Sequence, residues 1–249
     1  MKSASGMAQT PNSDEKRISA EQDEQSSDDN EKNLSFPTPD PRTTVTASPV
    51  PLPTPMPPLQ PLPLLICSLG NPGATYANTL HSAGHTVLNL IASHLAYPPF
   101  RRERTLGNGL VSKPLTPLDR NWTLWQSTSY MNDSGKGVAS AYRTWVKSLP
   151  DGEGRLVIVH DELEKPLGAV SVKSAQGLSA RGHNGLKSVL GVLGKTPFVR
   201  VGVGIGRPVS RESREVAGYV LKKMGPAEMA EMEGCVVEVV ARLEGLSYG

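Results

Sequence analysis

With only two cysteines, Cys67 and Cys235, the chain cannot build a disulfide framework or a four-thiolate zinc site. It has no run of eighteen or more apolar residues, so a membrane-spanning helix is excluded. No apolar signal block opens the sequence, and the expectation is an intracellular, reduced protein. Aromatic residues are scarce, at 5% of the chain, and no RNP-type segment occurs. Both argue against a stacking platform for single-stranded RNA. A nucleophile elbow of the G-x-S-x-G type is also missing, which removes one route to covalent catalysis.

What is present is unevenly distributed. Residues 1–36 are polar, and residues 37–63 hold eleven of the 22 prolines. Proline fixes φ and removes a donor, so this stretch reads as an extended, polyproline-like linker. Neither part can bury enough apolar surface to offset the entropy of ordering, which predicts a disordered tail over 1–60. That tail carries nine acids and five bases, a net of −4 within a whole-chain charge of +2. Residues 61–249 are left with 21 bases and 15 acids, a net of +6, and such a domain suits a polyanionic partner. The segment Pro55-Met56-Pro57-Pro58 matches a ligand for an SH3-like domain, against the plainer reading of a spacer. Asp14, Glu15, Glu21, Asp23, Glu24, Asp28 and Asp29 make the tail unlike an Arg-rich, acid-poor mitochondrial transit peptide, so a cytoplasmic location is expected.

Beyond the tail, strand and helix patterns alternate. Leu64–Leu69 is a short apolar run ending at Gly70, the pattern of a buried strand. Val87, Leu88, Leu90, Ile91 and Leu95 recur at helical spacing, as do Val138, Tyr142, Trp145 and Val146. Strands are expected at Gly109–Lys113, Trp122–Gln126, Leu156–Val159, Ala169–Lys173 and Val199–Val203, and a helix at Asn184–Leu193. Met229, Met232, Val236, Val240 and Leu243 predict one closing helix. The fold class is therefore α/β: a single domain over 61–249 with a central twisted, mixed but largely parallel sheet flanked by helices.

In open α/β sheets, sites form beyond the carboxyl ends of strands. Short polar signatures stand at such places: Gly70-Asn71-Pro72-Gly73, Tyr130-Met131-Asn132-Asp133-Ser134-Gly135, His160-Asp161-Glu162-Leu163 and Gly182-His183-Asn184-Gly185-Leu186-Lys187. A fifth, Thr79-Leu80-His81-Ser82-Ala83-Gly84, opens the first helix. Histidine, a well-placed aspartate and loop asparagines suit water activation better than covalent catalysis. Histidine takes a proton near neutral pH, aspartate fixes its tautomer, and asparagine donates to a developing oxyanion.

On these segments the sequence resembles the bacterial-type peptidyl-tRNA hydrolases, from about Leu64 to about Leu243. The resemblance rests on Leu69-Gly70-Asn71-Pro72-Gly73, the His81 segment, Tyr130-Met131-Asn132 with Ser134-Gly135, His160-Asp161-Glu162-Leu163 with Pro166 and Gly168, Gly182–Lys187 and Arg200–Pro208 in family order. It implies cleavage of the ester between a peptide and the terminal ribose of tRNA, without metal or cofactor. It implies His81 as the general base, Asp161 as its orienting partner and Asn132 as donor at the reacting carbonyl. Asn71, Tyr76, Met131 and Asn184 are implied as substrate-binding residues, and Lys173 and Lys187 as phosphate contacts to the tRNA acceptor end. A monomer is expected. Two departures stand out: Leu80 and Ser82 flank His81 where the family often has Arg and Asn, and the loop 174–181 is about two residues longer than the bacterial pattern and poorer in glycine.

Blander readings compete at each position. His81 and His85, at i and i+4, could clamp zinc on a helix face. Asp161 with Glu164 could form a helix capping box, and Asn132 and Asn184 could be helix caps. Gly202-Val203-Gly204-Ile205-Gly206 reads as close backbone packing on a strand and not as a dinucleotide fingerprint. For the whole chain, the alternative to an esterase is a non-catalytic RNA-binding relative of the same fold, suggested by Leu80, Ser82 and the tail.

Overall fold

The computed structural model describes residues 60–116, 120–174 and 179–248. Every described residue belongs to one compact unit. The tail expectation for residues 1–60 and the SH3-ligand reading thus fall almost entirely outside the described residues.

At the centre lies β1 (Leu64–Ser68), buried along its whole length. β4 (Trp122–Gln126) and β5 (Arg155–Glu162) pair with it in parallel on either side. β7 (Val199–Gly204) continues the parallel set beyond β5, and β6 (Val170–Ser174) closes that edge antiparallel. On the other edge, β3 (Gly109–Ser112) and the three-residue β2 (Arg101–Glu103) run antiparallel, giving the seven-strand order β2-β3-β4-β1-β5-β7-β6. The sheet is mixed and largely parallel at its core, as expected.

Alternation along β1 explains why both faces need helices. Leu64 and Ile66 point into one apolar cluster, Leu65 and Cys67 into the other. The first cluster is covered by α1 (Ala83–His94), α5 (Pro226–Gly234) and α6 (Val236–Tyr248), through Val87, Leu88, Ile91, Met232, Val239 and Leu243. The second is covered by α2 (Ser134–Lys147) and α3 (Asn184–Leu193), through Val138, Trp145, Leu186 and Val189.

The closing helix expected from Met229 to Leu243 is two helices, interrupted at Cys235. The buried spacing from Met232 to Val236, Val239 and Val240 runs straight across the break, so the apolar pattern carries no sign of it. Two elements escaped the sequence reading. β2 is short and mostly exposed, and α4 (Ser213–Val220) buries only Val220, so neither offers an apolar period. The glycine-rich strand is packed as expected: a Cβ on Gly204 would collide with the Pro166 carbonyl.

Candidate active site

The chain leaves β1 on one side of the sheet for β2–β4 and returns to β5 on the other, so the carboxyl ends of β1 and β5 flank a switch point. A cavity of about 730 Å³ opens there. Asn71, Tyr76, His81, Met131, Asn132, Asp161, Lys173 and Asn184 all line it. Lys187 does not; it is on the exposed face of α3.

Each polar residue reaches the cavity for a local reason. His81 sits in a 3-10 turn, Leu80–Ser82, that leads into α1. The next turn presses Gly84 against the backbone, where a Cβ would come within 2.6 Å of the Val159 carbonyl and 2.8 Å of the Leu69 carbonyl. Only glycine permits that approach, and it sets the turn beside β5 just where Asp161 emerges. From behind, the Leu80 N–H donates to the Lys222 carbonyl at 3.0 Å and the Met224 N–H to the Asn78 carbonyl at 2.8 Å, fastening the turn to the segment after α4. Asn132 lies in a second 3-10 turn, Met131–Asp133, at the entrance to α2. The Gly135 N–H donates to Ser188 Oγ at 3.0 Å, tying that entrance to α3, which begins at Asn184.

Asp161 is the electrostatic hub. Its Oδ1 and Oδ2 both lie 3.0 Å from His81 Nδ1, and Oδ1 also lies 2.9 Å from His183 Nε2. The carboxylate is buried. Burial alone would push it up, but the two imidazoles hold it well below the usual carboxylate range, so it stays ionised. An ionised carboxylate accepts, so His81 Nδ1–H donates and His81 Nε2 carries the lone pair. At His81 burial disfavours the charged form, yet the attraction and hydrogen bond of Asp161 prevail and raise it above its ordinary 6.5. His160, next in line, is buried; with desolvation dominant and His183 adding repulsion, it is pushed down to about 4. Its Nδ1 lies 2.7 Å from the Asp161 carbonyl, to which it donates.

Asn71 shows which way its amide faces. Its Oδ1 accepts the Met131 N–H at 2.9 Å, which leaves the NH₂ as the remaining end. Lys173 is held in an ion pair with Glu162 at 2.9 Å. Arg181, Arg200, Arg207 and Arg211 add positive charge to the cavity wall, against Glu162, Glu164 and Asp161.

The blander readings fare differently. His81 and His85 do not face each other: His85 Nδ1 hydrogen-bonds Ser68 Oγ at 2.7 Å and lines a separate cavity of about 350 Å³. Asp161 is a residue of β5, not a helix cap, and the residues at the N-cap positions of α2 and α3 are Asp133 and His183. His81, Asp161 and His183 do offer ligand atoms within 4.8 Å of one another, a grouping their direct hydrogen bonds explain without an ion. Leu80 is fully buried in the apolar core, and Ser82 Oγ meets the Asn71 N–H at 3.4 Å and Thr79 Oγ1 at 3.1 Å. Leu80 and Ser82 are thus absorbed by packing and by support of the Asn71 loop. Within the loop 174–181, residues 175–178 lie outside the described set.

The family model described as peptidyl-tRNA hydrolase matches residues 65–248. The chain belongs to this family. A probable peptidyl-tRNA hydrolase of Schizosaccharomyces pombe is 39% identical over 170 residues, 68% of this chain and 75% of that one. The peptidyl-tRNA hydrolase of Methylocella silvestris is 38% identical over 186 residues, 75% and 88% of the two chains. Among solved structures, a mutant peptidyl-tRNA hydrolase from Acinetobacter baumannii superposes with a TM-score of 0.61 at 29% identity, covering 76% of this chain and 90% of that one.

In this member of the peptidyl-tRNA hydrolase family, His183, which the sequence offers only as part of a motif, shares the Asp161 carboxylate with His81. Arg200 and Arg207 belong to the Arg200–Pro208 segment on which the resemblance rests, whereas Arg211 and α4, which contributes Val216, Ala217 and Val220, carry no local pattern that places them at the cavity. Among the described residues, no helix is long and apolar enough to cross a membrane.

Proposed function

We propose that this hydrolase cleaves the ester between a peptide and the terminal ribose of tRNA, with His81 as general base. One observation supports the reading: His81 hydrogen-bonds the buried Asp161 carboxylate in a cavity that Asn71, Asn132 and Asn184 also line. Water, held against His81 Nε2, gives up a proton as its oxygen bonds to the ester carbonyl carbon. The carbonyl π pair moves onto oxygen, where Asn132 and the Asn71 NH₂ donate. Collapse of the tetrahedral adduct breaks the bond to the ribose oxygen, which takes the proton from His81. The products are a peptide carboxylic acid and tRNA with its hydroxyl restored. A general base contributes roughly 10²–10⁴-fold and an oxyanion donor roughly 10²–10³-fold, enough for an ester without a covalent intermediate.

In the same reading Tyr76, Met131 and Asn184 bound the peptide and ribose side, while Lys173 and Lys187 meet acceptor-end phosphates. Lys173 must then exchange its Glu162 partner for phosphate or share it, so its contact should be salt-sensitive. We assign the enzyme domain to residues 61–249, acting as a cytoplasmic monomer without cofactor, and residues 1–60 to an appended arm that an SH3-like partner could engage.

Purified chain should release peptide from peptidyl-tRNA or from an N-blocked aminoacyl-tRNA, with and without chelator. His81→Ala should lose about 10²–10⁴-fold in turnover while still binding tRNA. Undiminished turnover in that variant refutes the role of His81, and loss of activity to chelator refutes the metal-free chemistry.

A further inference from the structure

His183 is placed by two contacts that fix its tautomer. The Leu186 N–H donates to its Nδ1 at 3.2 Å, so Nδ1 must offer a lone pair and the ring proton must sit on Nε2. That proton points at Asp161 Oδ1, 2.9 Å away. The acceptor role at Nδ1 is imposed by the start of α3, where His183 is the N-cap and the unpaired backbone N–H groups need a partner. The ring is held from two further sides. It tilts against His81 with centroids 5.0 Å apart, and His160 meets it edge-on at 5.2 Å.

We propose that His183 is a positioning residue for the reaction: through Nε2–H it holds Asp161 Oδ1, so that the carboxylate is shared between two imidazoles and does not face His81 alone. The inference rests on His81 being the general base. A carboxylate aimed wholly at His81 would orient it well but would also favour its protonated form, which cannot accept a proton from water. By accepting from His183 as well, Asp161 keeps its orienting hydrogen bond and gives up part of its pull. The contact also links β5 to the N-cap of α3, so one side chain sets the carboxylate and the Asn184 turn together.

Among the described residues, the cavity that His81 lines also holds Lys173, Arg181, Arg200, Arg207 and Arg211 against Glu162 and Glu164, but the groups nearest the imidazole are fewer. Asp161 comes from β5 and His183 from the cap of α3; Asp161 is the charge that acts on His81, while His160, beside it on β5, meets His183 edge-on and feels Glu162. Removing the His183 donor leaves Asp161 a stronger base toward His81. His81 should then hold its proton to higher pH.

The test is the pH profile of kcat/KM for full-length His183→Leu on an N-blocked aminoacyl-tRNA. Its acidic limb should move up by about half to one pH unit, the size of one lost hydrogen bond to the carboxylate. His183→Gln can donate to Asp161 and accept from Leu186, and should restore the limb to within about 0.2 unit of the parent. A lower plateau with an unmoved limb in the folded leucine variant would mean a merely structural role and overturns the inference. Should the leucine variant fail to fold, ring-nitrogen shifts of the unaltered protein decide: an Nε2–H tautomer at His183 supports the inference and an Nδ1–H tautomer overturns it. His81→Ala separates the two levels. If that variant stays active the base assignment itself fails, whereas if it is dead and the His183→Leu limb is unmoved, only the role of His183 is lost.

Discussion

His81 and His85 stand four positions apart, and their surroundings push them in opposite directions. Both are largely desolvated. His81 faces an ionised carboxylate and is raised above 6.5; His85 faces Ser68 and is lowered to about 4 by burial. His85 Nε2 is buried and meets no hydrogen-bond partner among the described residues. The contrast teaches that burial does not make a base. One buried charge of opposite sign, placed on β5, raises a packed imidazole that burial alone would lower, and the imidazole without it is an inert part of a wall.

The harshest way to break the contrast is to remove the charge that creates it. Asp161→Asn keeps the volume but lets His81 lose its Nδ1–H orientation, and turnover should fall by roughly 10²–10⁴-fold. The acidic limb of whatever activity remains should move down toward or below 6.5, opposite in sign to the shift expected of His183→Leu. A variant that kept both rate and limb would show that Asp161 does not govern His81.

Next in size is the pH dependence of stability. A histidine lowered in the folded state binds fewer protons there than when unfolded, so stability falls as pH drops from 6.5 to about 4 and is level below that. For His85 alone the change is roughly 3 kcal/mol across that window. His81 has the reverse slope: its contribution is complete below 6.5 and is lost as pH rises through its elevated value. Denaturant melts of His85→Leu between pH 7 and 4 should therefore show a shallower loss than the parent, and His81→Ala should not. His160, also lowered to about 4, leaves part of the acid loss in place in either variant. Equal slopes in the parent and His85→Leu would contradict the burial argument.

A third effect is steric. A Cβ on Gly70 would come within 2.8 Å of the His85 ring at Cγ and Nε2. Gly70→Ala should cost about 1–3 kcal/mol by overpacking, and His85→Ala in the same chain should relieve most of it. Additive losses in the double variant would place the strain elsewhere.

How much of this was legible in the sequence follows from which forces leave a local pattern. β1 and the Leu156–Val159 part of β5 were legible as short apolar runs, and β4 and β7 as β-branched and aromatic residues that outweigh the buried Thr123 and Arg200. The helix interruption at Cys235 was not, since the apolar seam passes through it. Asn71, Asn132, His81, Asp161 and Asn184 were picked out by short polar loops at strand ends, and all five line one cavity. His183 lay in plain view beside Asn184. Its contact with Asp161 joins residues 22 apart, which no period or spacing encodes. Leu80 looked like the loss of a charge and is a core residue. The sequence shows the substitution, whereas only the packing shows where the leucine goes.

The smallest effect is also the sharpest test of how far the two histidines are separate. His85 contributes its ring to the second cavity, and its carbonyl lies 3.4 Å from Gln126 Nε2. Because it is lowered to about 4, it carries no charge in the range where activity rises, so replacing it changes no field at His81. His85→Leu should accordingly leave the acidic limb of kcat/KM within about 0.2 pH unit of the parent. Any loss of rate should come from the Gly70-Asn71 loop that packs on the ring, and should alter the plateau alone. A limb displaced as far as that expected of His183→Leu would mean that the loop transmits a change of geometry to the His81–Asp161 pair. The cavity walls would then have to be treated as one unit, and the division between working and inert histidine would fail.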